Sequence, residues 1–221
     1  MYQIKTTQFT HPGGDSLVHF ELGDYVLDFD PVNHEYFVDG EKVASVSDIV
    51  NDLYPRSMKN VDPEILKKAA ERGSELREMI EHYERSDQKI YHKEMHSYLS
   101  LKGEHQIQVQ NTKVPVLIHH HGVVIAAGRF DMVVKSPYIK GEGIAQIKRA
   151  AHIDKWRLEL QMNLYKLGFE QTYKQKIHYL KCIHIRNRHR EYIDVMKNKK
   201  RTLDMLDTYI ERHPIDYTRY L

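Results

Sequence analysis

The sequence predicts an α+β fold, with segments running helix, strands, helix, strands, helix after a lead of short strands. Three observations carry this. At 221 residues, with 41% hydrophobic and 29% charged residues, the chain can bury one sizeable core, and a single compact unit is expected. Apolar residues recur at steps of three and four after Asp62-Pro63 and again after Ile153, the period of a helix face. Between them, Val123-Val124-Ile125-Ala126-Ala127 is a continuous apolar run, the signature of a central strand covered on both faces.

Residues 1–16 read as an irregular lead-in ending in Pro12-Gly13-Gly14-Asp15. Alternation then predicts strands over Tyr25–Asp30 and Glu35–Val38, a turn at Asp39-Gly40 and a return strand over Val43–Val46. Asp62 is a suitable N-cap and Pro63 suits the first helical position. Ile65, Ala69, Gly73, Leu76, Ile80 and Tyr83 mark the predicted buried face, whereas Glu71, Glu75, Glu78 and Glu81 fall off it and are expected in solvent. Residues 86–103 suggest a second helix. Residues 105–134 suggest a long strand pair turning at His119-His120-His121-Gly122, and Gly143–Lys148 suggests the next strand. Ile153, Trp156, Leu160, Leu164 and Leu167 mark the buried face of a helix over Ile153–Phe169. Ile177–Ile185 and Tyr192–Val195 follow as strands, and Lys197–Arg201 leads into a last helix bearing Leu203, Leu206 and Ile210.

Composition removes several classes. The single cysteine, Cys182, rules out an internal disulfide, and its apolar neighbours suggest a buried strand residue. No apolar stretch approaches the ~20 residues that span a bilayer, and the N-terminus has no apolar leader, so no membrane role and a cytoplasmic location are expected. A net charge of +2 neither requires nor excludes nucleic acid, because the local distribution of charge decides. Adjacent histidines on a strand or turn point in different directions and make a poor cage, so His119–His121 are read as a solvated turn rather than a metal site. Lys197–Arg201 are read as a solvated helix start that, with Arg186, Arg188 and Arg190, offers a possible phosphate-contacting edge.

The chemistry concentrates in Gly128-Arg129-Phe130-Asp131, then Gln146-Ile147-Lys148, then Gln161 and Tyr165 at i and i+4 on one helix face. Phosphodiester hydrolysis needs a delivered hydroxide and a neutralised leaving oxygen. Carboxylate-held Mg²⁺ supplies both, and a neighbouring lysine stabilises the developing charge. Asp131 and Lys148 suit those two roles.

In this order of motifs the chain resembles the PD-(D/E)XK nuclease superfamily, in its RecB-like and lambda-exonuclease-like branch of phage and recombination proteins. There a G-x-x-D strand, a (D/E)-x-K strand and a Q-x-x-x-Y helix build the site. The resemblance covers roughly residues 45–195 and includes Ala69-Ala70-Glu71-Arg72-Gly73 as the upstream helix. It implies a restriction-endonuclease-like core, a mixed central sheet flanked by helices, over residues 45–221, with 1–44 as an extension of strands and a hairpin. It also implies a Mg²⁺ or Mn²⁺ cofactor, an exonuclease-like deoxyribonuclease activity, and DNA as partner, with a recombinase or single-strand-binding protein as a further one. Asp131 would be a metal ligand and, with Gln146 and Lys148, catalytic. Gln161, Tyr165, Arg77, Lys113 and Arg149 would contact DNA or support the site.

The departures from the pattern are as informative. The second carboxylate is replaced by Gln146. Arg77 stands where an extra histidine ligand is often found, and Lys113 precedes Val114-Pro115-Val116 where an acid is often found. Two like charges about 4 Å apart repel by roughly 4 kcal/mol at an effective dielectric of about 20, so one inward cation would weaken metal binding by orders of magnitude. Glu142, on the same strand face as Gln146, and Glu159, on the helix, are the candidate rescuing carboxylates. The alternative reading is a nuclease-fold module that binds DNA or a protein without cutting.

Overall fold

The computed structural model describes residues 6–10, 16–55 and 62–214. The expected turn residues Pro12–Asp15 lie outside the described residues.

An antiparallel meander comes first: β1 (Thr6–Thr10), β2 (Ser16–Leu22), β3 (Tyr25–Asp30), β4 (Glu35–Val38) and β5 (Glu41–Ser45). The lead-in is thus more ordered than its composition suggests, since β1 and β2 are paired strands. The chain then turns into α1 (Val46–Leu53) rather than extending β5 through Val46. Ser45 caps that helix in a reciprocal box: its hydroxyl accepts from the Asp48 amide at 3.0 Å while Asp48 accepts from the Ser45 amide at 2.8 Å.

Two helices follow, α2 (Pro63–Ser86) and α3 (Lys93–Glu104). Asp62 caps α2 as expected, accepting from the Glu64 amide at 2.8 Å. The buried face of α2 is shorter than its stripe predicts. Ile65 and Ala69 are exposed, and burial begins at Leu76 and Ile80. A helix of 24 residues is ~36 Å long, and α2 packs only its C-terminal half onto the molecule. Glu81, expected in solvent, is buried there.

The main sheet comprises β6 (Gln108–His120), β7 (Val123–Ser136), β8 (Ile139–Lys148), β9 (Ile177–Arg186) and β10 (His189–Val195). Between β8 and β9 runs α4 (Lys155–Tyr173), and α5 (Lys199–Arg212) closes the described chain. The sheet is mixed, with β5 parallel to β7, β8 parallel to β9, and antiparallel β6–β7, β7–β8 and β9–β10 pairs. One core layer lies under α1, α4 and α5, around Val46, Val116, Phe130, Leu164 and Phe169. A second lies under α2 and α3, around Leu76, Tyr98, Met132 and Ile183. A third joins the meander to Leu117, Val124 and Ala127 of the hairpin, so the N-terminal strands share core with the rest. The fold is therefore α+β, a mixed central sheet flanked by helices.

Cys182 is fully buried, and burial pushes its thiol up to about 12, as suits a packing residue. Trp156 departs from its stripe: it is 57% exposed, with the Arg201 guanidinium 4.2 Å from its ring centroid.

Candidate functional site

β7 pairs with β6 along most of its length, with β5 at Ala126 and Ala127, and with β8 from Met132 onward. Residues 128–131 fall between these last two stretches, where the sheet opens. At the opening, side chains continue the ladder that the backbone leaves. The Ile147 amide donates to Asp131 Oδ2 at 2.6 Å, and the Asp131 amide donates to Gln146 Oε1 at 3.4 Å. Regular alternation also breaks here, since Phe130 packs into the layer under α4 and Met132 into the layer under α2 and α3. Asp131 sits at that break.

Lys148, two residues on, donates from Nζ to Gln161 Oε1 at 2.6 Å, and Gln161 is hydrogen-bonded to the Tyr165 hydroxyl. The five residues singled out by the motif order therefore converge at one place. Their approach depends on Gly128. A Cβ there would stand 2.9 Å from Val46 Cγ2 and 3.0 Å from the Tyr165 ring, so glycine lets α1 and α4 close over β7.

Burial pushes the Asp131 carboxyl above the usual carboxylate range; Arg77, the Ile147 amide and Lys148 oppose this, and Glu81 adds to it. Burial likewise raises Tyr165. In front of the group lies a cleft of about 280 Å³, lined by Arg77, Lys148, His152, Arg157 and Gln161 among others. Asp131 is not part of this lining, and the acid that is, Asp154, caps α4 by accepting from the Arg157 amide at 3.1 Å.

The remaining expected residues are placed differently. Arg77 lines the cleft, as an inward cation should. Lys113 does not stand in a metal position; its ammonium is paired with Glu81, which also meets Arg85 at 3.3 Å. Arg149 turns to the α3 side, where its Nε lies 2.8 and 3.0 Å from the buried Glu94 carboxylate. Neither rescuing acid reaches Asp131. Glu142 pairs with Lys135 at 3.0 Å, four residues along β8 from Gln146, which is ~13 Å of strand. Glu159 faces Arg201 at 3.7 Å between α4 and α5.

Sequence reasoning missed three members of the neighbourhood. Glu81 is buried because Lys113 neutralises it across the layer, a pairing without a local signal. Arg129, inside the quoted motif, reaches the meander: its guanidinium lies 4.1 Å from the Phe29 centroid and bonds Tyr36. Arg157 is buried against α1, donating to the Tyr54 and Val50 carbonyls and to Asn51 Oδ1. The capping signal Ser45-x-x-Asp48, which announces α1, was the readable clue to that contact.

The donor set fits a hard divalent cation poorly. Mg²⁺ is held by one or two carboxylates with their lone pairs available. Here Asp131 Oδ2 accepts from the Ile147 amide, Gln146 brings a neutral oxygen in place of a second carboxylate, and Glu81 is paired with Lys113 and Arg85. Among the described residues, neither cluster of three potential ligands includes Asp131.

No family model matches the chain, and no curated protein matches it. Among solved structures, the crystal structure of SSO0001 is similar to it with a TM-score of 0.42 at 14% identity, covering 77% of this chain and 75% of that one. A likeness of that size decides neither fold family nor activity.

Proposed function

We propose that this chain is a DNA-processing protein of PD-(D/E)XK nuclease type, with a restriction-endonuclease-like core, in which an impaired metal site leaves DNA-backbone binding as the main activity. The observation that carries the reading is the group at the sheet opening: Asp131 bridged to Ile147, beside the Lys148–Gln161–Tyr165 chain of hydrogen bonds. The resemblance expects those side chains together, although they come from two strands and a helix. The cleft before them carries Arg77 and Lys148, the charge type that receives phosphate. Hydrolysis through Mg²⁺ or Mn²⁺ is not part of the proposal, because the place of the second carboxylate is held by neutral Gln146 and Glu81 is paired with two cations.

The test uses end-labelled double- and single-stranded DNA with the metal-free protein, then with Mg²⁺ or Mn²⁺. Retention that falls steeply with salt, weakens in Lys148→Ala and Arg77→Ala, and leaves the label intact supports the proposal. Metal-dependent loss of the label, abolished by Lys148→Ala, would replace it with an active exonuclease-like deoxyribonuclease. No retention even at low salt would remove DNA and leave a protein partner, a recombinase or single-strand-binding protein, as the remaining reading.

A further inference from the structure

The tip of the β6–β7 hairpin holds a second constellation, remote from the cleft. Val123 opens β7 eight residues before Asp131, which is ~26 Å of extended strand. His120 Nε2 lies 2.7 Å and His121 Nε2 3.1 Å from the same oxygen, Asp207 Oδ1 on α5. Consecutive strand residues should diverge, so this convergence needs a cause. The hairpin turns through two left-handed residues, His121 at φ 50° and Gly122 at φ 86°. That reversal swings the His121 ring back beside His120, with centroids 4.1 Å apart and planes 48° apart. The expectation that adjacent histidines on a strand or turn diverge does not hold for His120 and His121, because the left-handed conformation of His121 brings its ring back beside that of His120.

We infer that His120, His121 and Asp207 form a zinc-class transition-metal site that staples the β6–β7 hairpin to α5. Two imidazoles and a carboxylate are a ligand set that Zn²⁺ accepts, with a fourth position open to water. At Zn–N and Zn–O distances of about 2.0–2.2 Å, tetrahedral ligand atoms stand ~3.4 Å apart. The three ligand atoms lie within 4.8 Å of one another. Bringing the ligand atoms to that spacing takes shifts of under ~1 Å in the two His–Asp contacts, with the imidazoles re-aimed and each proton moved from Nε2 to Nδ1. His120 is mostly enclosed, its side chain 10% exposed, while His121 at 62% and Asp207 at 51% leave an entry path. The other histidine cluster, His184, His189 and Glu191, converges less well: His184 Nε2 is bonded to the Ala150 carbonyl at 2.8 Å, and His189 and Glu191 are 3.6 Å apart. It therefore serves as the control.

The experiment titrates ZnCl₂ into the chelator-stripped full chain by calorimetry, and follows the melting temperature with and without zinc. One equivalent of Zn²⁺ should bind and raise the melting temperature. His121→Asn, which keeps a residue tolerant of the left-handed turn, and Asp207→Asn should each weaken binding by roughly tenfold or more and abolish the thermal shift. His189→Asn should change neither. Both replaced side chains are exposed, so metal-free melting curves close to that of the unmodified chain will show that folding survives. Should a metal-free variant melt early, tetrahedral Co²⁺ absorption in the unmodified chain, with two imidazole ligands by X-ray absorption, replaces its readout. Undiminished zinc binding in folded variants, equal loss in His189→Asn, non-tetrahedral Co²⁺, or no binding at micromolar zinc would each overturn the site.

Discussion

A glutamate at position 146 would face the Asp131 carboxylate across the opening between β7 and β8, where Gln146 now offers a neutral oxygen to the Asp131 amide. Without an ion, the two carboxylates would repel in a buried setting. With one, they would form the pair that the present donor set lacks. Gln146→Glu should therefore bind Mn²⁺ at least ~10-fold more tightly than the unmodified chain, while its metal-free form melts lower at neutral pH. Calorimetry and paired melting curves check both, and unchanged affinity would mean that Arg77, rather than Gln146, keeps the ion out. Asp131 has its own signature. A carboxyl whose folded pKa is raised holds its proton more tightly in the native state, so its contribution to stability is greatest at low pH and is lost as pH rises through the folded pKa. Asp131→Asn should thus melt above the unmodified chain at pH 8, with the gap closing as pH falls through the carboxylate range. A gap that widens toward low pH would mean that Asp131 is held ionised instead. The convergence of Asp131, Lys148, Gln161 and Tyr165 was legible through the order of motifs that carries the resemblance; helical periodicity alone put only Gln161 and Tyr165 on one face. Glu81 was not, because only a lysine on a distant strand explains its burial.

At the scale of elements, the sequence announced helices by their caps and strands by their apolar runs, and failed where tertiary contact overrides local pattern. Asp62-Pro63 located the start of α2, yet its stripe overstated the buried face because packing partners reach only the C-terminal half. α1 is eight residues long, too short for periodicity to declare it, and its evidence was the Ser45–Asp48 box. The His121 turn could not be drawn from alternation, since a positive φ at a non-glycine residue is set by the hairpin. The contact between α1, α4 and β7 rests on Gly128. Gly128→Ala would press a methyl group against Val46 and the Tyr165 ring, and overpacking of this kind costs about 1–3 kcal/mol. Denaturant unfolding should show that loss. Because Tyr165 is bonded to Gln161, the variant should also weaken DNA retention more than a distant substitution of equal stability cost. Equal weakening by both would confine Gly128 to packing.

For the molecule as a whole, a net charge of +2 conceals an uneven surface, and the unevenness is what DNA would meet. Arg77 and Lys148 line the cleft, and Trp156 stands exposed on α4, on the side that meets Arg201 of α5. Arg201 covers one face of that indole while its guanidinium donates to the Tyr54 hydroxyl at 2.7 Å, so the ring is held in place. An exposed aromatic ring offers a face on which an unpaired base can stack. These two features separate by measurement. On the proposed function, Lys148→Ala should lower the slope of log affinity against log salt by about one and affect duplex and single strands alike. Trp156→Ala should leave the salt slope unchanged and weaken single-stranded DNA selectively, by about 1–3 kcal/mol if one base stacks there. Equal losses on duplex and single strands in Trp156→Ala would reduce the indole to a cover for Arg201. A salt slope unaltered in Lys148→Ala would move the phosphate path away from the cleft, toward Lys197–Arg201 with Arg186, Arg188 and Arg190.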